Sequence, residues 1–223
     1  MTHRFDIDGI LFDLDGTLLD TVADLAEATN RMLRELGQKE RSLEEVTTFI
    51  GNGIRSLVNR SVSEGREATP ALLEAAYGVF QRHYAEVNGL ATRPYPGVTE
   101  ALKDLQERGL KLGCVTNKSE AFIFPVLDAL GMSSFFGSVV GGDTLPQRKP
   151  DPEPLFHACQ QLGIDPSRAL MVGDSPNDAI AARRAGIPVL LVTYGYSAEV
   201  PLEAIDCDGL IPTLSVLPDY LSR

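Results

Sequence analysis

Two aspartates one residue apart, Asp13 and Asp15, follow the apolar run Ile10, Leu11, Phe12 in the stretch GILFDLDGTLLDT. A buried strand normally excludes carboxylates, because an unpaired charge in apolar surroundings is expensive. Three further polar groups close other apolar runs: Thr116 and Asn117 after LKLGCV, Lys149 in DTLPQRKPDP, and Asp174 with Asp178 in ALMVGDSPND. Residues i and i+2 of a strand share a side, so Asp13 and Asp15 are expected to face one site. Four carboxylates in a half-buried cleft raise one another's pKa and require a cation. An oxygen-only donor set suits Mg²⁺, which accepts a few carboxylates, keeps waters and bridges a phosphate. Lys149 and the Thr116 hydroxyl match phosphate oxygens, as do backbone amides around Asp15–Thr17, Gly16 included, and at Asn117. This is equipment for phosphoryl transfer, in which positioning and charge neutralisation dominate.

The elements that must position these groups are legible as short apolar runs. GILFDL, LKLGCVT, GSVVGG, ALMVGD and IPVLLVT are continuous rather than alternating, as befits strands buried on both faces. Helical patterns between them close on Gly109, Gly131, Gly163 and Gly186, a C-terminal helix signal. Strand and helix in alternation predict an α/β fold with a doubly wound parallel sheet, and such sheets bind ligands at the carboxyl ends of their strands. One interruption stands out. From Thr21 to about Asn88 the pattern is helical throughout, with Ser42 and Glu45 spaced as a capping box. The expected organisation is an α/β core from residues 1–19 and 92–223 with an all-helical domain, 20–91, inserted after the first strand.

Taken together, FDLDGTLLDT, VTNK, RKPDPEPL and GDSPND resemble the four signature motifs of the haloacid dehalogenase-like phosphatases, in that family's order and across essentially the whole chain. FIGNGI, YPGV, GGDTLPQRKPDP and TYGY resemble its phosphoglycolate phosphatase branch. The resemblance implies a Rossmann-like core with a helical cap closing over the substrate. It implies Asp13 as nucleophile and Asp15 as general acid and base. It also implies Mg²⁺ held by Asp13, the Asp15 carbonyl and Asp174 with Asp178 nearby, and Thr116, Lys149 and Asn117 around the phosphoryl group. The implied reaction is phosphomonoester hydrolysis through an aspartyl-phosphate, with 2-phosphoglycolate as substrate. Asp15 points away from halide displacement, which needs no acid there. Other readings on the same residues are another sugar or sugar-acid phosphatase, a phosphosugar mutase, or a phospho-accepting binding module. Phosphonate cleavage would need a lysine from the cap, which offers only Lys39 in a hydrophilic loop.

Bland alternatives exist for individual residues. Asp-Gly is a turn dipeptide and Asp a helix cap, and Asp20, Asp143 and Asp151 read as caps or supporting groups. GNGIRS departs from a dinucleotide fingerprint, lacking its third glycine and following a helix. As a turn of the insert, Gly51, Asn52 and Gly53 are expected to reach over the site, with Arg55 as a contact for a substrate carboxylate or simply a surface arginine. His3, His83 and His157 are isolated and read as structural or exposed. Phe122, Phe124, Phe135 and Phe136 read as core.

A net charge of −11 disfavours nucleic acid and anionic membranes as partners. Cys114, Cys159 and Cys207 form no ligand cluster and read as core thiols. With neither an apolar signal segment nor a membrane-length run, the expectation is a cytoplasmic monomer or homodimer acting on a small phosphorylated metabolite.

Overall fold

The computed structural model describes residues 4–63, 68–196 and 200–222; His3 lies outside them. The chain begins with β1 (Gly9–Phe12) and a two-residue β2 (Leu19–Asp20), then runs through four helices: α1 (Val22–Glu35), α2 (Leu43–Phe49), α3 (Ile54–Val62) and α4 (Pro70–Val87). It returns through β3 (Arg93–Pro94). Then come α5 (Val98–Glu107), β4 (Lys111–Val115), α6 (Glu120–Ala129), β5 (Ser138–Val140), α7 (Glu153–Leu162), β6 (Ala169–Gly173), α8 (Pro176–Ala185), β7 (Val189–Val192) and β8 (Gly209–Ile211).

Six strands form one parallel sheet in the order β5-β4-β1-β6-β7-β8. The continuous apolar runs are explained by burial on both faces. Ile10, Phe12, Leu112, Cys114, Leu170 and Val172 join a core with α5 and α6, while Leu11, Val115, Met171 and Leu191 point into a second core with α7 and α8. β1 lies between β4 and β6, at the point where the chain's windings diverge, which is where such sheets open a crevice.

The four glycines expected to end helices all adopt positive φ, from 61° to 81°. The Ser42–Glu45 capping box forms, each side chain bonding the other's backbone N–H. The strands are one to three residues shorter than the apolar runs suggest, trimmed at one or both ends. Two features escape the sequence reading. Leu19–Asp20 pairs antiparallel with Arg93–Pro94, a ribbon too short to leave a periodic signal. The edge strand β8 is only three residues long.

Helices α1–α4 bury a cluster of their own, including Leu25, Met32, Leu33, Val58, Phe80 and Tyr84, to which α6 contributes Phe122. Tyr84 and Phe122 rings lie 4.8 Å apart, joining the helical unit to the sheet's flank. Phe124 corrects the expectation of a core residue: it is 46% exposed, because Phe122, Ile123, Val126 and Leu127 define the inner face of α6. Phe135 and Phe136 are half-buried against the core. Cys114 and Cys159 are buried free thiols and Cys207 is half-buried.

Candidate active site

The crevice at the carboxyl end of the sheet collects the polar residues that the motifs singled out. Asp13 extends β1 by one backbone bond, its N–H donating to Val172 O at 2.9 Å, so the ladder fixes its carboxylate to within a bond rotation. Two residues on, Gly16 turns the chain at φ +89°. A Cβ there would lie 2.3 Å from Asp174 Oδ2, so Gly16 is required for close approach as well as for the turn. Asp13 and Asp15 line the same cleft, as expected, although Asp15 reaches it after the strand has ended.

Asp13, Asp174 and Asp178 present carboxylate oxygens all within 4.8 Å of one another, and all three residues are buried. At that separation each ionised pair repels by roughly 3–4 kcal/mol at an effective dielectric of ~20. Burial pushes the Asp13 carboxyl up to about 7, aided by Asp178 and Asp15 and opposed by Lys149. Burial, then Asp13 and Asp178, raise Asp174 well above the ordinary carboxylate range. Asp13 Oδ1 is buried, with Lys149 Nζ 2.9 Å away as its partner ion. Three buried carboxylates around a single ammonium leave a hard, all-oxygen donor set with excess negative charge, which fits a divalent cation.

The supports around this cluster assign different tasks to its members. Asp174 Oδ2 accepts from Tyr196 N–H at 2.6 Å, and Thr17 Oγ1 approaches Oδ1 at 3.5 Å. Asp178 is more fully occupied. Its Oδ2 accepts from the N–H groups of Asp174 and Ser175 and from the Ser175 hydroxyl, capping α8, while Oδ1 accepts from Lys149 at 2.6 Å.

Lys149 donates also to Val115 O at 2.6 Å. Burial alone would lower its pKa, but Asp13 and Asp178 reverse that and hold it above the ordinary lysine value. Val115 O and Asp178 take two of its three N–H groups, and the third is directed at Asp13. Thr116 is buried at the end of β4, its Oγ1 accepting from Lys118 N–H at 3.2 Å, which leaves the hydroxyl proton for another acceptor.

The Gly51-Asn52-Gly53 turn does reach over the crevice. Gly51 O accepts from both Asn117 Nδ2 at 3.0 Å and Asn177 Nδ2 at 3.1 Å, and Asn52 Oδ1 accepts from Asn177 at 3.0 Å. Asn117 Nδ2 also donates to Lys149 O at 2.9 Å. Its side chain therefore ties the helical unit to the lysine loop, and both its amide protons are engaged. Arg55 is not brought to the site. It pairs with Glu74 on α4, lies 5.5 Å above the Tyr77 ring and is half-exposed, because its position on α3 faces α4. Asp143 caps α6 through Glu120 N–H and Asp151 caps the start of α7 through Glu153 N–H, as expected. Asp20 accepts from the Tyr196 hydroxyl. His83 and His157 are half-buried and pair with Glu35 and Gln161.

Three residues in the site carried no assignment from sequence. Lys118 is buried with its Nζ 3.2 Å from Asp15 Oδ1 and bonded to the Tyr84 hydroxyl of α4. Tyr196 joins the Asp174 loop to the start of α1, its hydroxyl accepting from Thr21 and Val22 N–H at 2.7 and 3.1 Å. Lys118 stands within VTNK and Tyr196 within TYGY, so the motif text held both; nothing local marked Tyr84.

Residues 10–192 match the family described as haloacid dehalogenase-like hydrolase, and the chain belongs to that family. Its relatives narrow the class. The phosphoglycolate phosphatase of Nitrosospira multiformis is 48% identical over 211 residues, covering 94% of this chain and 90% of that protein. The phosphoglycolate phosphatase of Thiobacillus denitrificans is 45% identical over 212 residues with the same coverage. The crystal structure of a protein from Haemophilus somnus, described as a predicted phosphoglycolate phosphatase, superposes with a TM-score of 0.90 at 34% identity, covering 96% of this chain and 97% of that one. The chain is a phosphatase of this family.

Proposed function

We propose that the protein is a Mg²⁺-dependent phosphomonoester hydrolase working through an aspartyl-phosphate on Asp13, with 2-phosphoglycolate as its substrate. The observation that carries the mechanism is the placement of Asp13. It projects from the end of the central strand into the crevice, with Lys149 Nζ 2.9 Å from Oδ1 and Asp15 lining the same cleft. The relatives' names support a small phosphorylated substrate.

In this reading an Asp13 oxygen attacks phosphorus while the bond from phosphorus to the ester oxygen breaks. Asp15 gives its proton to that leaving oxygen. Lys149 and the Thr116 hydroxyl hold the equatorial oxygens. Asp15, now a carboxylate, takes a proton from water as the water attacks phosphorus, and the Asp13–phosphorus bond breaks to release phosphate. Asp13, Asp174 and the Asp15 carbonyl would hold Mg²⁺, with Asp178 orienting Asp174 and Lys149. The metal would supply charge neutralisation of the phosphoryl group. Helices α1–α4 act as a cap over this chemistry, with the 51–53 turn as its point of contact, which excludes bulk water.

The test is Asp13→Asn assayed for Mg²⁺-dependent phosphate release from an aryl phosphate, with the fold checked by circular dichroism. The expected loss is roughly 10³-fold or more. Acid quench of wild type during turnover, followed by mass spectrometry, should show phosphate on the Asp13 peptide. Retained turnover in Asp13→Asn overturns the nucleophile. In a screen of small phosphomonoesters, a preference for a hexose phosphate overturns the substrate alone.

A further inference from the structure

Lys118 is a buried cation at the heart of the cleft that the chemistry above leaves unused. Its ammonium reaches Asp15 Oδ1 at 3.2 Å, bonds the Tyr84 hydroxyl and lies 4.8 Å from the centre of the Tyr84 ring. An ammonium has three N–H donors, and these partners take two. Among the described residues lining the cleft, Lys118 is the one cation; the facing wall is Leu25, Ile50, Ile54 and Leu57. Arg55, which the sequence offered as an anion contact, is committed to Glu74 and Tyr77.

Position adds the chemistry. With phosphorus at Asp13 and the leaving oxygen at Asp15, a group carried two bonds beyond that oxygen arrives at Lys118, one hydrogen-bond length past Asp15. We propose that Lys118 is the specificity-determining contact for a carboxylate carried by the leaving group, with Tyr84 of α4 holding its ammonium in place. This rests on the hydrolase reading above. Lys149 and the metal site serve the phosphoryl end, and Lys118 serves the organic anion. A substrate lacking that anion forgoes a charge-assisted bond in a desolvated cleft, where such bonds discriminate most strongly.

The experiment compares 2-phosphoglycolate with ethyl phosphate, which keeps the skeleton and replaces the carboxylate by methyl, using the full-length protein with Mg²⁺. Wild type should prefer 2-phosphoglycolate. Lys118→Met should lower kcat/KM for it on the order of 100-fold, mainly through KM, with a loss on ethyl phosphate at least about ten times smaller. Tyr84→Phe keeps the ring and removes the hydroxyl; it should erode the preference by about 5-fold, and it stands in if Lys118→Met does not fold. Equal losses on both esters in either variant overturn the proposal, leaving Lys118 as a support for Asp15. A wild type indifferent to the carboxylate also overturns it, while phosphate release that depends on Asp13 would keep the hydrolase reading intact. Release from neither ester is a failure of the hydrolase reading itself.

Discussion

Lys149 Nζ lies 2.6 Å from Asp178 Oδ1, closer than its 2.9 Å approach to Asp13. Asp178 is fully buried and is itself fixed by the first turn of α8. Through Asp178 the first turn of α8 therefore holds both the Asp174 backbone and the lysine ammonium.

Asp178→Asn tests that coupling. The amide can keep one accepting oxygen for the helix cap but loses the charge that holds Lys149. The expected result is a folded protein with kcat/KM reduced roughly 10- to 100-fold and Mg²⁺ affinity weakened similarly, the usual scale for groups that orient metal ligands. Unchanged kinetics across a Mg²⁺ titration would show that Val115 O and Asp13 suffice to hold the lysine.

Stability should depend on pH and metal together. The Asp13 carboxyl is raised to about 7 in the folded, metal-free protein, from 3.8 when unperturbed. Between those values the folded state binds more protons than the unfolded one, so metal-free stability falls as pH rises through that window. Mg²⁺ would relieve the repulsion, and the increase in Tm that it produces should be larger at pH 8 than at pH 5. Melting curves with Mg²⁺ or with chelator measure this, and a metal effect that shrinks with rising pH would contradict the assigned cluster.

Asp24 predicts where the helical unit is fastened. Buried at the start of α1, it accepts from the N–H groups of Gly89, Ala91 and Thr92 and from the Thr92 hydroxyl at 2.5–3.0 Å. It thereby locks the outgoing chain to the returning one. Asp24→Ala strands these donors and should cost roughly 3 kcal/mol or more, lowering Tm by about 6–12 °C in a chain of this size. A Tm within about 2 °C of wild type would show that the ribbon of β2 and β3 holds the joint without it.

Much of this protein was written locally. Asp13, Thr116 and Asp174 stand at or just past the ends of apolar runs, and a parallel sheet buried on both faces brings such ends to one edge. The helical stretch after β1 was legible from the period of its apolar residues, and the turn at residues 51–53 from its glycines. What stayed hidden involves partners distant in sequence. Lys118 gains its place from Tyr84, 34 residues away in the helical unit. Arg55 looked available only because Glu74 and Tyr77 become its neighbours once α3 packs on α4.

The sequence by itself determined which groups the site owns and the class of chemistry they share, because residue type and strand-end position are local properties. Only the tertiary structure decided how those groups divide the work. It turned Asn117 from the crevice floor toward the 51–53 turn, committed both oxygens of Asp178 to support, and set Lys118 beside Asp15. The physical reason is that charge pairing and hydrogen bonding depend on distance in space, and close packing of helices onto a sheet fixes those distances between residues that no sequence spacing relates.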